Sequence, residues 1–191
     1  MLISQDFEVP QPVAKVWEFF GDIPRVAACL PGAELTEELG DSKFGGKVAV
    51  RMGPVKLQFA GTAEITERDE RAKRLLVHAT GAEQRGRGQA TMDITATLSA
   101  AGRGTKVAVT QDLQLSGAAA QYGRGMISDV TAVLMRDFAA NLASQIAAAD
   151  RGETAVSAAA PAGGLAIGVR AALMALRRVF RRFFVPYQAT S

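Results

Sequence analysis

The 191-residue chain predicts an α+β domain in which a curved antiparallel sheet wraps one long C-terminal helix. Three observations carry this. A first strand leads into two short helices between Pro12 and Gly32. A series of segments from Ala33 to Leu115 then alternates apolar and polar residues. A long stretch at helical period, from about Tyr122 to Ala149, closes the body.

Met1–Val9 alternates as a strand. Val13, Val16, Trp17 and Phe20 fall at helical spacing, and Pro12 suits a first turn, where its missing N–H is not needed. Asp22 is placed to cap a second short helix with Pro24 just inside its start, and Leu30-Pro31-Gly32 ends it.

Ala33–Glu38 is expected to be a strand closed by Gly40-Asp41, followed by Lys43–Met52 with Val48, Val50 and Met52 on one face. Gly53-Pro54 turns into Val55–Thr66, whose Val55, Leu57, Phe59, Gly61, Ala63 and Ile65 share a face. The charged run Glu67–Lys73 reads as a solvated loop and Leu75–Thr80 as the next strand. Ala90, Met92, Ile94, Ala96 and Leu98 line the following one. Lys106–Leu115 then presents Val107, Val109, Leu113 and Leu115. Clean alternation of this kind belongs to an antiparallel sheet with one dry face. The last helix carries an apolar stripe through Met126, Val130, Val133, Leu134, Phe138, Leu142 and Ile146, and it alone is long enough to cover that face.

Three units follow: residues 1–150 as the body, 151–164 as an Ala/Gly/Ser-rich linker, and 165–185 as an amphipathic helix. The charge divides with them. Residues 1–150 hold 16 Lys/Arg against 18 Asp/Glu, whereas residues 151–191 hold six Arg against one Glu. The excess of base is confined to the tail, which argues against nucleic acid as a partner of the body. In the tail, Arg170, Arg177, Arg178, Arg181 and Arg182 fall on one side of a helical wheel, and Leu173, Leu176, Phe180, Phe183 and Phe184 fall opposite. Such a helix is expected to lie in a membrane interface, held by anionic headgroups and buried apolar area. Its Arg residues interrupt any run long enough to span. Docking on a partner protein or on the body are the other readings of this segment.

Catalytic chemistry is sparse. His78 is the only histidine and Cys29 the only cysteine, which leaves no usual N/S metal set and no intrachain disulfide. Cys29 sits in an apolar setting without a nearby base and reads as a small buried residue. Gly81–Gly88 reads as a hairpin or bulge. Gly123 and Gly125 open the last helix where a close approach to the sheet or a ligand would need them. The carboxylates form no evident acid–base pair. The N-terminus has no leader-like pattern, so the expected location is cytoplasmic, with peripheral attachment to the inner face of the cell membrane through the tail.

The segments Pro12-x-x-x-Val16-Trp17-x-Phe19-Phe20-x-Asp22, Leu30-Pro31-Gly32-Ala33-Glu34, the strand around Gly61, and Tyr122-Gly123-Arg124-Gly125-Met126-Ile127 carry a family likeness. They resemble the CoxG-like family of carbon monoxide dehydrogenase subunits, within the START/polyketide-cyclase (SRPBCC) superfamily. The resemblance spans Met1–Ala149 and implies a helix-grip fold. It also implies an accessory protein, itself no enzyme, that serves a molybdenum-containing carbon monoxide dehydrogenase-like enzyme and holds an isoprenoid quinone or other lipid without a covalent cofactor. Lining candidates for that ligand are Val50, Met52, Leu57, Phe59, Met92 and Ile94 on the sheet, facing Met126, Val130, Val133 and Leu134 on the last helix. Tyr122 and Arg124 are expected near the mouth. Competing readings are a cyclase/aromatase-type enzyme using the same cavity, and a ligand-free assembly factor for the molybdenum enzyme.

Overall fold

A computed structural model describes residues 1–40 and 42–151. Seven strands form one curved antiparallel sheet: β1 (Leu2–Val9), β2 (Ala33–Gly40), β3 (Lys43–Met52), β4 (Val55–Asp69), β5 (Arg74–Glu83), β6 (Gln89–Ala101) and β7 (Gly104–Leu115). Their spatial order is β1-β7-β6-β5-β4-β3-β2, so the first two strands in sequence are the two edges of the sheet. Helices α1 (Val13–Phe19) and α2 (Ile23–Cys29) bridge those edges, and α3 (Arg124–Asp150) lies against the concave side.

Local chemistry explains the helix pair. Pro12 is the N-cap of α1 rather than its first helical residue. The Asp22 carboxylate accepts from the Arg25 backbone N–H at 3.1 Å, and Pro24 occupies the first turn of α2, as expected. Gly32 follows with φ +80°, and a Cβ there would sit 2.4 Å from the Ala49 carbonyl oxygen. Only glycine allows that reversal so close to β3.

Two strands outrun their sequence limits. Glu67–Asp69 belongs to β4 and Gly81–Glu83 to β5. The first part of the charged run is therefore a strand end, held in the ladder by Glu67↔Leu76, Arg68↔Leu75 and Asp69↔Arg74 after a bulge beyond Ile65, while Glu70–Lys73 forms the hairpin turn as expected. Arg74 pairs with Glu67, and the Trp17 indole N–H donates to Glu70. Arg68 and Lys73 lie over the Trp17 ring, 4.9 and 5.2 Å from its centroid, which fastens α1 to the β4–β5 hairpin. Lys15 meets Asp150 at 2.6 Å and ties α1 to the far end of α3.

Candidate functional site

The concave face is built from two separate apolar clusters. The larger lies under α1 and α2, where Val9, Val16, Trp17, Phe19, Phe20 and Cys29 meet Leu75, Leu98, Val107 and Val109 of the sheet and Phe138, Leu142 and Ile146 of α3. The smaller closes the opposite end. There Ile3, Met52, Leu57, Ala119 and Ile127 are buried together, with Phe59, Leu113, Leu115, Tyr122 and Val130 packed against them. The β3–β4 hairpin thus folds over toward the start of α3.

Between the clusters the sheet carries small side chains, aligned across strands. Gly46 is opposite Gly61, Gly61 opposite Gly81, and Gly81 opposite Ala90. The next inward row pairs Phe44 with Ala63, Ala63 with Ala79, and Ala79 with Met92. Glycine inside a strand marks a place where the sheet bends or another backbone comes close. At Gly61 a Cβ would fall 1.9 Å from the Thr80 carbonyl oxygen, so β4 and β5 approach here as only glycine permits.

Two amides complete this middle zone. Along β1 the inward positions are Ile3, Gln5, Phe7 and Val9; along β7 they are Val107, Val109, Gln111, Leu113 and Leu115. Gln111 is only 5% exposed and lies opposite Ile3 on one side and Ile94 on the other. Its side chain enters none of the side-chain hydrogen bonds among the described residues. Gln5 is opposite Val109, and its Oε1 is buried without a hydrogen-bond partner. The alternation that picks out Val107, Val109, Leu113 and Leu115 already assigns position 111 to the same face. A reading that collects only apolar inward residues passes over it.

The sequence-predicted lining residues divide among these zones. Met52, Leu57, Phe59, Tyr122 and Val130 meet in the small cluster, and Ile94 packs against the large one. Val50, opposite Leu57, and Met92, opposite Ala79, are half-buried on the inward face, while Val133 is buried and Leu134 half-buried on α3. Met126 departs from expectation, being 45% exposed. The first turn of α3 stands clear of the sheet: Arg124, Gly125 and Met126 are all exposed, and Ile127 supplies the inward contact. For the same reason Gly123 and Gly125 have open space where a Cβ would be, so neither serves a close approach.

Other chemistry lies outside the concave middle. His78 Nδ1 meets Asp93 Oδ1 at 2.6 Å across β5 and β6 on the outer face. Cys29 is fully buried, and burial pushes its thiol up to about 11. Glu83, 3% exposed, accepts from Arg87 Nη2 at 2.8 Å and from the backbone N–H groups of Arg85 and Arg87 at 2.8 and 3.2 Å. These bonds, the Arg87 guanidinium first, hold its carboxyl down to about 2. A cleft of about 510 Å³ beside this pair is lined by Gly86–Gln89 and Ser116–Ala118. The cation on its wall, Arg87, is already neutralised by Glu83, so the cleft offers an incoming anion little. Among the described residues no group of His, Cys, Asp and Glu could hold a metal ion.

The linker 151–164 beyond Arg151, the amphipathic helix 165–185, and with it Arg170, Leu173, Leu176, Arg177, Arg178, Phe180, Arg181, Arg182, Phe183 and Phe184, lie outside the described residues. No helix of the described residues is long and apolar enough to cross a membrane.

A seven-stranded antiparallel sheet gripping a long C-terminal helix defines a helix-grip protein. Solved structures share that architecture. A conserved protein from Geobacillus kaustophilus is 21% identical with a TM-score of 0.69, over 77% of this chain and 95% of its own. The ZhuI aromatase/cyclase from a Streptomyces species is 14% identical with a TM-score of 0.58, over 81% and 99%. A Thermus thermophilus protein is 17% identical with a TM-score of 0.56, over 78% and 99%. At these identities the likeness is one of fold. No curated protein matches the chain. The family model for CoxG, a carbon monoxide dehydrogenase subunit, matches residues 6–147, and the chain belongs to this family.

Proposed function

We propose that this protein is a non-catalytic accessory subunit of a carbon monoxide dehydrogenase-type molybdenum enzyme, holding an isoprenoid quinone on its concave face and linking the enzyme to the membrane through its tail. Membership of the CoxG family supports the accessory role. Support for ligand holding comes from the break between the two apolar clusters, where glycine and alanine stand in register on the inward face. A quinone suits such a place, because its isoprenoid chain is apolar and its ring carries only two polar oxygens. Along β1 and β7 the inward polar groups are amides, and the Glu83–Arg87 pair at the end of β5 is already neutralised, which speaks against a cyclase.

Mass spectrometry on an organic extract of full-length protein, purified from its native host without detergent, tests the ligand. Stoichiometric quinone is the expected result, and an extract free of lipid would overturn the carrier reading. Co-sedimentation with vesicles containing anionic lipid tests the link. The full chain should pellet and a chain lacking residues 165–191 should not; binding that survives the deletion removes the tail from the account.

A further inference from the structure

We infer that Gln5 and Gln111 form a polar clamp for the head group of the bound molecule, and that they select a carbonyl- or hydroxyl-bearing ligand over a plain hydrocarbon. This rests on the carrier reading above and adds which residues recognise what. The two residues are diagonal neighbours on β1 and β7, about 7–8 Å apart by sheet geometry, between the two apolar clusters.

A buried amide without a partner is costly. Its lost hydrogen bonds to water are not replaced, which is why nearly all buried polar groups are paired. Here one oxygen, Gln5 Oε1, is enclosed and unpartnered on a half-buried residue, and beside it Gln111, 5% exposed, makes no side-chain bond while its amide atoms keep a little contact with solvent. Both stand on inward positions otherwise occupied by Ile3, Phe7, Val109 and Leu113. An isosteric apolar residue would serve packing better at either place. Two such positions side by side have a common explanation in a ligand that supplies the missing partners.

The amide also fits the chemistry of that ligand. A carboxylate only accepts and an ammonium only donates, whereas a carboxamide carries both functions on one rotatable group. Gln5 and Gln111 can therefore donate to a carbonyl or accept from a hydroxyl. A clamp of this kind holds a quinone and its quinol alike, which a shuttle that loads one form and releases the other requires. No electron or proton transfer through these residues is involved.

Equilibrium dialysis of the full-length protein against decylubiquinone, and separately against decylbenzene, tests the clamp. Wild type should bind the quinone more tightly than the hydrocarbon. Gln111→Met should weaken quinone binding about tenfold, the loss expected for one or two hydrogen bonds, and leave decylbenzene within about twofold. Gln5→Met should do the same. If wild type binds the quinone and both variants bind it equally well, the clamp is wrong and the carrier reading stands. If wild type binds neither probe, the carrier reading fails and takes the clamp with it. A urea melt of the empty protein is an independent check. Gln111→Met should unfold at an equal or higher urea midpoint, because it replaces an amide that makes no side-chain bond on an otherwise apolar face; a clear fall would show the amide to be structural and overturn the clamp.

Discussion

The Asn141 side chain on α3 donates from Nδ2 to the Cys29 carbonyl at the end of α2, across 2.9 Å. The bond joins the covering helix to the helix pair beside the larger apolar cluster, where Leu142, the next residue, is fully buried. It ties α3 to α2 by a polar bond beside the apolar packing.

Asn141→Leu should destabilise the protein by about 0.5–1.5 kcal/mol, since the Cys29 carbonyl loses its partner at a partly buried site. Urea unfolding followed by the fluorescence of the single tryptophan, Trp17, reads the change. An unchanged midpoint would mean that the bond contributes nothing net.

Gly61→Ala should cost about 1–3 kcal/mol or more, because its Cβ would lie 1.9 Å from the Thr80 oxygen and 2.6 Å from Gly81 Cα. Gly125→Ala is the contrast. It lies in α3 with open space around the new methyl and should stabilise by roughly 0.4–1 kcal/mol. Thermal melts of the two variants should therefore move in opposite directions.

Cys29 should resist iodoacetamide at pH 8 in the native protein and react once the chain is unfolded in urea. Its thiol is fully buried and pushed from the usual 9.0 to about 11, so thiolate and access are both lacking. Rapid native labelling, counted by intact mass, would contradict this burial.

Acid should find Glu83. Its carboxyl falls from the usual 4.5 to about 2 in the folded protein, chiefly through Arg87, so the unfolded chain takes up the proton first. The stabilisation is fully present above about pH 4.5 and is lost as pH falls toward 2. Glu83→Gln should flatten that part of the urea-midpoint profile while lowering the midpoint at neutral pH. Parallel acid limbs in wild type and variant would remove Glu83 from the account.

Much of this architecture is legible in the chain because it rests on local physics. Alternation marks the sheet, the Asp22 cap and Pro24 mark α2, and the 3.6 period marks the covering helix. Each of these depends on neighbours within a few residues, so the elements, their order and the family can all be read along the chain. Register is another matter. Nothing local says that Gly46, Gly61 and Gly81 stand in one line across three strands, since that follows from pairings between distant segments. The break between the clusters, the exposure of Met126, the Glu83–Arg87 pair within the β5–β6 hairpin, and the placing of Gln5 beside Gln111 likewise arise from folding at long range. Gln5 and Gln111 are 106 residues apart in sequence and two positions out of register in space. Polar residues at inward positions acquire meaning only when the sheet closes and removes the water that would otherwise satisfy them.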